Sequence, residues 1–185
     1  ASVNDEVVHG IPRKTRILQE GDILSVDVGA VLDGYQSDAC RTYLVGEVAP
    51  EVKDLVERTE KSFWIGLEYA KPGMRTGDIG HAIQEYCEGF GYGVVRELTG
   101  HGIGTTMHQD PDVPNYGRPG HGYKLKKGMA ICIEPMITLG TREIEQLDDK
   151  WTIVTQDGKP ASHYENTILI TDEGPYLTTY DYEES

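Results

Sequence analysis

Two aspartates lie on neighbouring apolar segments that are joined by a short turn. Asp27 has a valine on either side, and Asp38 lies beyond the pair Asp33-Gly34, which favours a hairpin turn. Folding about this turn brings both carboxylates to one place. Either aspartate alone also suits an inward polar residue held by backbone donors. A carboxylate in apolar surroundings is costly unless a positive charge accompanies it, so the pair indicates a cation site.

Two glutamates lie at the ends of apolar runs. Glu134 follows the run 131–133 and is fixed by Pro135, and Glu165 lies at the entry of the apolar strand that contains Ile168, Leu169 and Ile170. Either one alone also suits a strand-edge residue that faces solvent. Two more acids beside buried segments strengthen the case for a bound cation.

Two histidines lie near a cluster of glycines. His101 is the second residue of the segment GHGIG at 100–104, and His108 follows seven positions later. The glycines permit a tight backbone and remove side-chain bulk beside the imidazole. Gly-His-Gly turns also occur for structural reasons, and an isolated His108 also suits the surface.

Together these residues supply four carboxylates and one imidazole, apart from His108. An oxygen-rich set with a single nitrogen suits hard or borderline divalent ions, and this number of carboxylates can bridge two of them. Two such ions can polarise a carbonyl, activate a water and anchor a substrate amine. Because carboxylates clustered without a cation repel one another, we interpret the set as a metal site.

Several other chemistries lack their motifs. The chain contains no Gly-x-Ser-x-Gly and no HExxH, and the glycine-rich stretch 89–93 ends a predicted helix instead of opening one. The cysteines Cys40, Cys87 and Cys132 are widely spaced, which predicts reduced thiols rather than a disulfide framework. A covalent hydrolase, a helix-borne zinc protease and a phosphate-binding loop are therefore all disfavoured.

The patterns around these residues predict an α+β protein that forms one domain over residues 1–185. Apolar alternation predicts strands, and helical spacing predicts helices that end near Pro72 and Gly91. The loop 110–120 is rich in proline and glycine, as active-site loops often are. The predicted strands are 23–31, 35–45, 94–98, 129–137, 151–155 and 164–171, and the predicted helices are 50–71 and 76–90.

The formal net charge of −14 disfavours binding to nucleic acid or to anionic lipid. No apolar run has the length that a membrane span requires, and the chain opens at Ala1 without a charged-then-apolar leader. These features predict a chain that acts on neither membranes nor nucleic acid.

The motifs, taken in order, resemble those of the type I methionine aminopeptidases, which have the pita-bread fold. The resemblance runs from Ala1 to about Thr178. It implies a mainly antiparallel curved sheet with helices on its outer face. It also implies an enzyme that removes the N-terminal methionine from nascent proteins and prefers a small second residue. The matching segments are HGIP at 9–12, the Asp27 and Asp38 pair, GHGIG with His108, IEPM at 133–136 and YENT at 164–167.

The resemblance implies a role for each matching residue. Asp38 and Glu165 would bridge two divalent ions, which in this family are cobalt, manganese, iron, zinc or nickel. His108 would hydrogen-bond the scissile amide, and His9 would help position the substrate. Glu134 would also shuttle a proton to the leaving amine. Met107 and Trp151 would line the pocket for the methionine side chain. The implied metal ligands are Asp27, Asp38, His101, Glu134 and Glu165.

The implied partners are peptides with N-terminal methionine and nascent chains at the ribosome. The resemblance also implies a monomer in the cytoplasm, with an organelle as the alternative. A proline-directed peptidase of the same fold would carry a large N-terminal domain and a different histidine pattern. A non-catalytic binding module of this fold would have lost metal ligands, whereas this chain keeps all five.

Two departures from the family pattern carry expectations of their own. Asn166 stands where many members have histidine, which should modulate metal binding. Members also carry several tens of residues before the point that matches Ala1. We therefore expect an incomplete first half-repeat, exposed apolar surface and a methionine pocket that is only partly built.

Overall fold

The structure is a computed structural model, and it describes residues 1–180. The first elements are strands β1 (Ser2–Val3), β2 (Glu6–Val8), β3 (Ile23–Leu32) and β4 (Tyr35–Leu44), followed by helices α1 (Pro50–Leu67) and α2 (Thr76–Glu88). The remaining strands are β5 (Gly93–Val94), β6 (Gly100–Gly102), β7 (Gln109–Val113), β8 (Ala130–Ile133), β9 (Met136–Thr138), β10 (Ile144–Gln146), β11 (Ile153–Thr155), β12 (Ala161–His163), β13 (Glu165–Thr171) and β14 (Gly174–Leu177).

An eight-stranded antiparallel sheet forms the body of the fold. Its strand order is β1-β3-β4-β13-β8-β6-β7, and β14 pairs with the outer part of β13. Two three-stranded sheets, β10-β11-β2 and β12-β9-β5, adjoin it. Strand β13 therefore lies at the centre of the sheet, between the β3–β4 hairpin and the later strands β6 to β8.

Side chains alternate strictly between the two faces of the central strands. Ile131 and Ile133 of β8 and Ile168 of β13 are buried in the same apolar cluster as Phe63 of α1 and Ile79 of α2. Cys132 and Glu134 point the other way because successive side chains of a strand face opposite sides. One face thus packs on the helices, and the other is free to carry chemistry.

Both helices begin where the sequence predicts. Pro50 occupies the first turn of α1, where its missing amide costs nothing, and Asp78 accepts a hydrogen bond from the Arg75 backbone at the start of α2. Helix α1 ends at Leu67, four residues before the predicted end. The amides of Tyr69 and Ala70 bond to carbonyls three residues back, so the last turn tightens before Pro72.

The predicted fold class is confirmed, but four local predictions need correction. The predicted strand 129–137 is two strands, β8 and β9, because Pro135 has no amide to continue the ladder. The predicted strand 94–98 is reduced to β5, and 151–155 is reduced to β11. Residues 109–113 form strand β7 at the sheet edge, although 110–120 had been expected to be a loop.

The far half of the β3–β4 hairpin is exposed. Val31 and Leu32 are 65% and 77% exposed, and Tyr35 on the partner strand is 67% exposed. Apolar side chains are therefore exposed at this tip. Within residues 1–180, neither helix combines the length and the hydrophobicity needed to cross a bilayer.

Candidate metal centre

A row of side chains crosses the helix-free face of the central sheet. Asp27 of β3 is paired with Cys40 of β4, and Cys40 is paired with Glu165 of β13. The β13–β8 register, with Asn166 opposite Ile133, brings Glu165 next to Glu134 at the end of β8. Directly opposed residues of antiparallel strands share a face, so four strands deliver these side chains to one line.

A second row runs beside the first, two residues along each strand. Asp38 is opposite Gly29, and Thr167 is opposite Cys132. Gly102 pairs with Ile131, which brings His101 next to Cys132. The Thr167 hydroxyl accepts a hydrogen bond from the Asp38 amide at 2.8 Å and lies 2.9 Å from the Asp38 carbonyl oxygen, to which it donates. The two rows place three predicted carboxylates and the predicted imidazole around Glu165.

The ligand-type atoms of these residues converge. Three groups have atoms that all lie within 4.8 Å of one another, and Glu165 belongs to each of them. The His101 Nε2 atom lies 3.6 Å from Glu134 Oε1. The three groups are Asp27, Asp38 and Glu165; Glu134, His163 and Glu165; and His101, Cys132 and Glu165.

The electrostatics of this cluster indicate a missing positive charge. Burial and the neighbouring charge of Asp27 raise the pKa of Asp38 to about 6. Burial and the nearby charge of Glu134 raise the pKa of Glu165 well above its usual range. Closely spaced carboxylates resist ionising together unless a cation compensates them. A divalent cation would compensate the neighbouring carboxylate charges that contribute to both shifts.

Orphaned polar atoms give an independent test of whether a metal fits. Among the described residues, Glu165 Oε1 and His163 Nε2 are buried and have no hydrogen-bond partner. Buried polar atoms normally find a partner, and an ion is one of the partners that would satisfy them. Carboxylates with imidazoles form a donor set that divalent transition ions accept, so the residues present fit such ions.

His163 is a member of the cluster that the sequence analysis missed. It is 2% exposed, and its Nε2 atom lies 3.6 Å from Glu134 Oε2 and 4.0 Å from Glu165 Oε2. Burial by itself lowers the pKa of His163, whereas the neighbouring Cys40 and Glu134 raise it, with a net increase. The available signal was its position two residues before Glu165, because alternate residues of an extended segment face the same side.

Two thiols also face the cluster, which the sequence analysis did not foresee. Cys132 has its sulfur near His101 and Glu165, and Cys40 lies against His163. Burial raises the pKa of both thiols, so they remain protonated. The expectation that no cysteine acts as a nucleophile agrees with this environment.

The two histidines predicted to contact substrate lie at the mouth of the cluster. The His108 ring centroid is 4.3 Å from that of His101, and His108 is exposed. His9 has a positive φ of 61° and is likewise exposed. Both line a cleft of about 240 Å³ together with the predicted metal ligands. The cleft therefore contains the predicted ligands and both histidines.

Met107 and Trp151 lie beside this cleft and do not line it. The methyl carbon of Met107 covers Gly29, where an added Cβ would come within 2.6 Å of it. Trp151 is 56% exposed and reaches the cleft only through His9, on which it stacks at 4.6 Å between ring centroids. Met107 thus adjoins the cleft residue His108 in the chain, and Trp151 contacts the cleft residue His9.

Asn166 faces away from the cluster. Its Oδ1 atom accepts hydrogen bonds from Arg41 Nη2 at 2.7 Å and from Thr179 Oγ1 at 3.0 Å. Arg41 also donates to the backbone carbonyl of Glu165. Asn166 therefore helps to fix the backbone that carries Glu165 without pointing at the site.

A carboxylate cluster on a curved antiparallel sheet is an arrangement found in metal-dependent peptidases. The model of metallopeptidase family M24 matches residues 1–172, and the chain belongs to this family.

The relatives of the chain show which group within family M24 it belongs to. A methionine aminopeptidase of Clostridium acetobutylicum is 57% identical over 96% of the chain and 71% of its own length. Methionine aminopeptidase 1 of Bacillus subtilis is 51% identical over 94% of the chain and 69% of its own length. The crystal structure of a methionine aminopeptidase from Thermotoga maritima superposes with a TM-score of 0.95 at 48% identity, covering 97% of this chain and 72% of that one. Within family M24, the chain is thus a member of the methionine aminopeptidases.

Proposed function

We propose that this chain hydrolyses the peptide bond after an N-terminal methionine, in peptides and in nascent proteins, at two divalent ions held by the cluster around Glu165. The observation that carries the proposal is the participation of Glu165 in all three groups of converging ligand atoms. A carboxylate with two oxygens in that position suits a bridge between two ions. The names of the relatives supply the N-terminal methionine as substrate.

The proposed metal ligands are the predicted carboxylates and the predicted imidazole of the two rows. The proposed ions are cobalt, manganese, iron, zinc or nickel. When bound, such ions polarise the scissile carbonyl and activate a water. Asp38 and Glu165 would bridge the pair; Glu165 belongs to all three groups of converging atoms, and Asp38 shares one of these groups with Asp27. The ligands are Asp27, Asp38, His101, Glu134 and Glu165.

Side chains of the cleft would perform the remaining steps of substrate binding and proton transfer. His108 would donate a hydrogen bond to the scissile amide, and its position beside His101 supports this role. Glu134 would carry a proton from the attacking water to the leaving amine. His9 would help position the substrate, and its stacking on Trp151 would limit its motion.

Substrate specificity would come from the residues that lie beside the cleft. Met107 and Trp151 would contact the methionine side chain, because a thioether packs well against polarisable and aromatic groups. The preference for a small second residue rests on the membership of the chain among the methionine aminopeptidases.

The working context is a proposal as well. We propose that residues 1–185 act as one catalytic domain, a monomer in the cytoplasm that meets nascent chains at the ribosome. The three cysteines are all buried and unpaired, which supports a reducing compartment. The net charge of −14 argues against direct RNA binding, so a contact with the ribosome would be protein-mediated or transient.

Peptide hydrolysis tests this function directly. The metal-stripped chain is given Co²⁺ or Mn²⁺ and assayed on Met-Ala-Ser, Met-Leu-Ser and Ala-Pro-Ser peptides. We expect cleavage of Met-Ala-Ser, poor cleavage of Met-Leu-Ser, and loss of activity with EDTA. Preferential cleavage of Ala-Pro-Ser would assign the chain to proline-directed peptidases instead. Metal binding without cleavage of any peptide would favour a non-catalytic module.

A further inference from the structure

His163 presents an unpartnered nitrogen to the acidic cluster. The residue is 2% exposed, and among the described residues Nε2 has no hydrogen-bond partner. The nearest carboxylate oxygen is Glu134 Oε2 at 3.6 Å, and Glu165 Oε2 follows at 4.0 Å. A buried imidazole nitrogen without a partner is unfavourable, so its position in the cluster calls for a function.

Glu134 is flanked by two imidazoles, each facing a different oxygen. His101 Nε2 lies 3.6 Å from Oε1, and His163 Nε2 lies 3.6 Å from Oε2. His101 is a proposed ligand, and Glu165 lies near both imidazoles. The two oxygens of Glu134 therefore have different neighbours, and the orientation of this carboxylate decides which oxygen faces the ion.

The backbone on both sides of this contact is firmly held. The His163 amide donates to Thr42 Oγ1 at 3.0 Å, and the Thr42 hydroxyl donates to the His163 carbonyl at 2.8 Å. His163 of β12 also pairs with Met136 of β9, two residues after Glu134. The imidazole and the carboxylate are thus carried by paired strands at a fixed separation, which leaves rotation of the carboxylate as the free variable.

We propose, on the basis of the metal centre proposed above, that His163 is a positioning residue for Glu134. Its Nε2–H donates a hydrogen bond to Oε2, which leaves Oε1 directed to the side of His101 for the ion. A small rotation of the carboxylate brings Oε2 from 3.6 Å into hydrogen-bond range of Nε2. Residues that orient a ligand in this way tune metal affinity without touching the ion.

Two amide substitutions test this geometry. Glutamine places its amide nitrogen near the position of Nε2, whereas asparagine is one methylene shorter and does not reach Oε2. We measure Co²⁺ binding to the metal-stripped full chain by isothermal titration calorimetry. We expect His163→Asn to raise the Kd by about 10–100-fold, the usual effect of losing a residue that orients a ligand, and His163→Gln to restore it to within about 3-fold of the unsubstituted chain.

The control is His81→Gln, which replaces an exposed histidine that pairs with Glu85 on α2. It should leave the Kd unchanged. The Tm of each variant in EDTA reports on folding without metal, and we expect Asn and Gln at position 163 to give similar values. The recovery by glutamine separates positioning from packing, because both amides are polar and smaller than imidazole.

Three results would overturn the assignment. Native-like Co²⁺ binding by His163→Asn would show that the contact does not matter. Equally weak binding by His163→Gln and His163→Asn would make His163 a direct ligand or a packing residue. If the unsubstituted chain itself binds no Co²⁺, the proposed metal centre fails, and this inference fails with it. In the first two cases only the role of His163 is rejected, and the proposed metal centre is unaffected.

Discussion

At the scale of single residues, the site separates side chains that would hold the ions from those that would contact the substrate. Glu165 is buried at the point that all three ligand groups share, whereas His108 is exposed at the cleft mouth. Substitutions in these two groups of residues should therefore have different effects on metal binding and on hydrolysis. Loss of a shared ligand removes the ions, and loss of a substrate donor leaves them in place.

We therefore expect Glu165→Gln to lose most of its metal and its hydrolysis together. His108→Ala should keep its metal, and its kcat/KM should fall by about two to four orders of magnitude, the usual effect of a lost polar contact at the reacting centre. Metal content by atomic emission and hydrolysis of Met-Ala-Ser give both values. Asp54→Asn, an exposed position on α1, is the control for loss of a carboxylate. Full metal occupancy with normal turnover in Glu165→Gln would contradict the assignment of this residue.

Residue chemistry explains which site residues the sequence revealed. Asp27, Glu134 and Glu165 are acids within or at the ends of apolar strand segments, and Asp38 lies on the strand that the Asp33-Gly34 turn pairs with that of Asp27, so all four can be found without a structure. His163 escaped notice because a histidine before an aromatic residue is not anomalous. Its role depends on the pairing of β12 with β9, which is a tertiary feature.

At the scale of elements, strand β6 carries His101 through the most crowded part of the sheet. A Cβ added at Gly100 would lie 2.3 Å from the Cys132 carbonyl oxygen, and one at Gly102 would lie 2.2 Å from the Asp110 carbonyl oxygen. Both obstacles are backbone atoms of neighbouring strands, so they do not move aside easily. The glycines on either side of His101 are there because the strands pack closely.

Gly100→Ala and Gly102→Ala should accordingly lower the free energy of unfolding by about 2–4 kcal/mol, the range for overpacking against backbone. Gly104→Ala is the matched control, because its nearest neighbours are side-chain atoms of Gln109 at 3.4 Å. Urea unfolding of the metal-free variants gives the three values. A Gly100→Ala variant as stable as Gly104→Ala would mean that β6 and β8 separate without cost.

Local patterns predicted some elements and missed others for one reason. The β3–β4 hairpin and both helices have their signals within a few residues: the Asp33-Gly34 turn, Pro50 and the helical spacing of apolar residues. The bounds of β5 and β11 depend on pairing with β9 and β2, which are far away in the chain. The register that aligns the two rows also depends on distant pairing, because it is set by strands from separate parts of the chain.

At the scale of the whole molecule, the acidic cluster should make the stability of the metal-free protein depend on pH. The folded chain holds the Asp38 proton more tightly than the unfolded chain does, since the pKa rises from 3.8 to about 6 on folding. A raised folded-state pKa contributes stability at low pH, and this contribution is lost as the pH rises through the folded value. The shift of Glu165 has the same direction.

In EDTA, we expect the chain to lose stability between about pH 4 and about pH 7 relative to Asp38→Asn, by about 1–2 kcal/mol after allowance for solvent screening at this half-buried group. Excess Mn²⁺ should reverse the trend, because ions bind only when the carboxylates are deprotonated. Urea unfolding at several pH values, with and without Mn²⁺, provides the test. Parallel pH profiles of Asp38→Asn and the unsubstituted chain would exclude Asp38 as the source.

The central place of β13 in the sheet has a consequence for the order in which the molecule can be built. Its residue Glu165 bonds across 125 positions of sequence to the strand that carries Cys40, and β13 also closes against β8. Contacts this distant form late, because a long loop must close before they are made. When synthesis has reached only residue 160, strand β13 is not yet made, and the sheet consists of two separate fragments. Affinity for divalent ions should therefore appear only when β13 pairs with both β4 and β8. Metal uptake during synthesis would then report the moment at which the fold is completed.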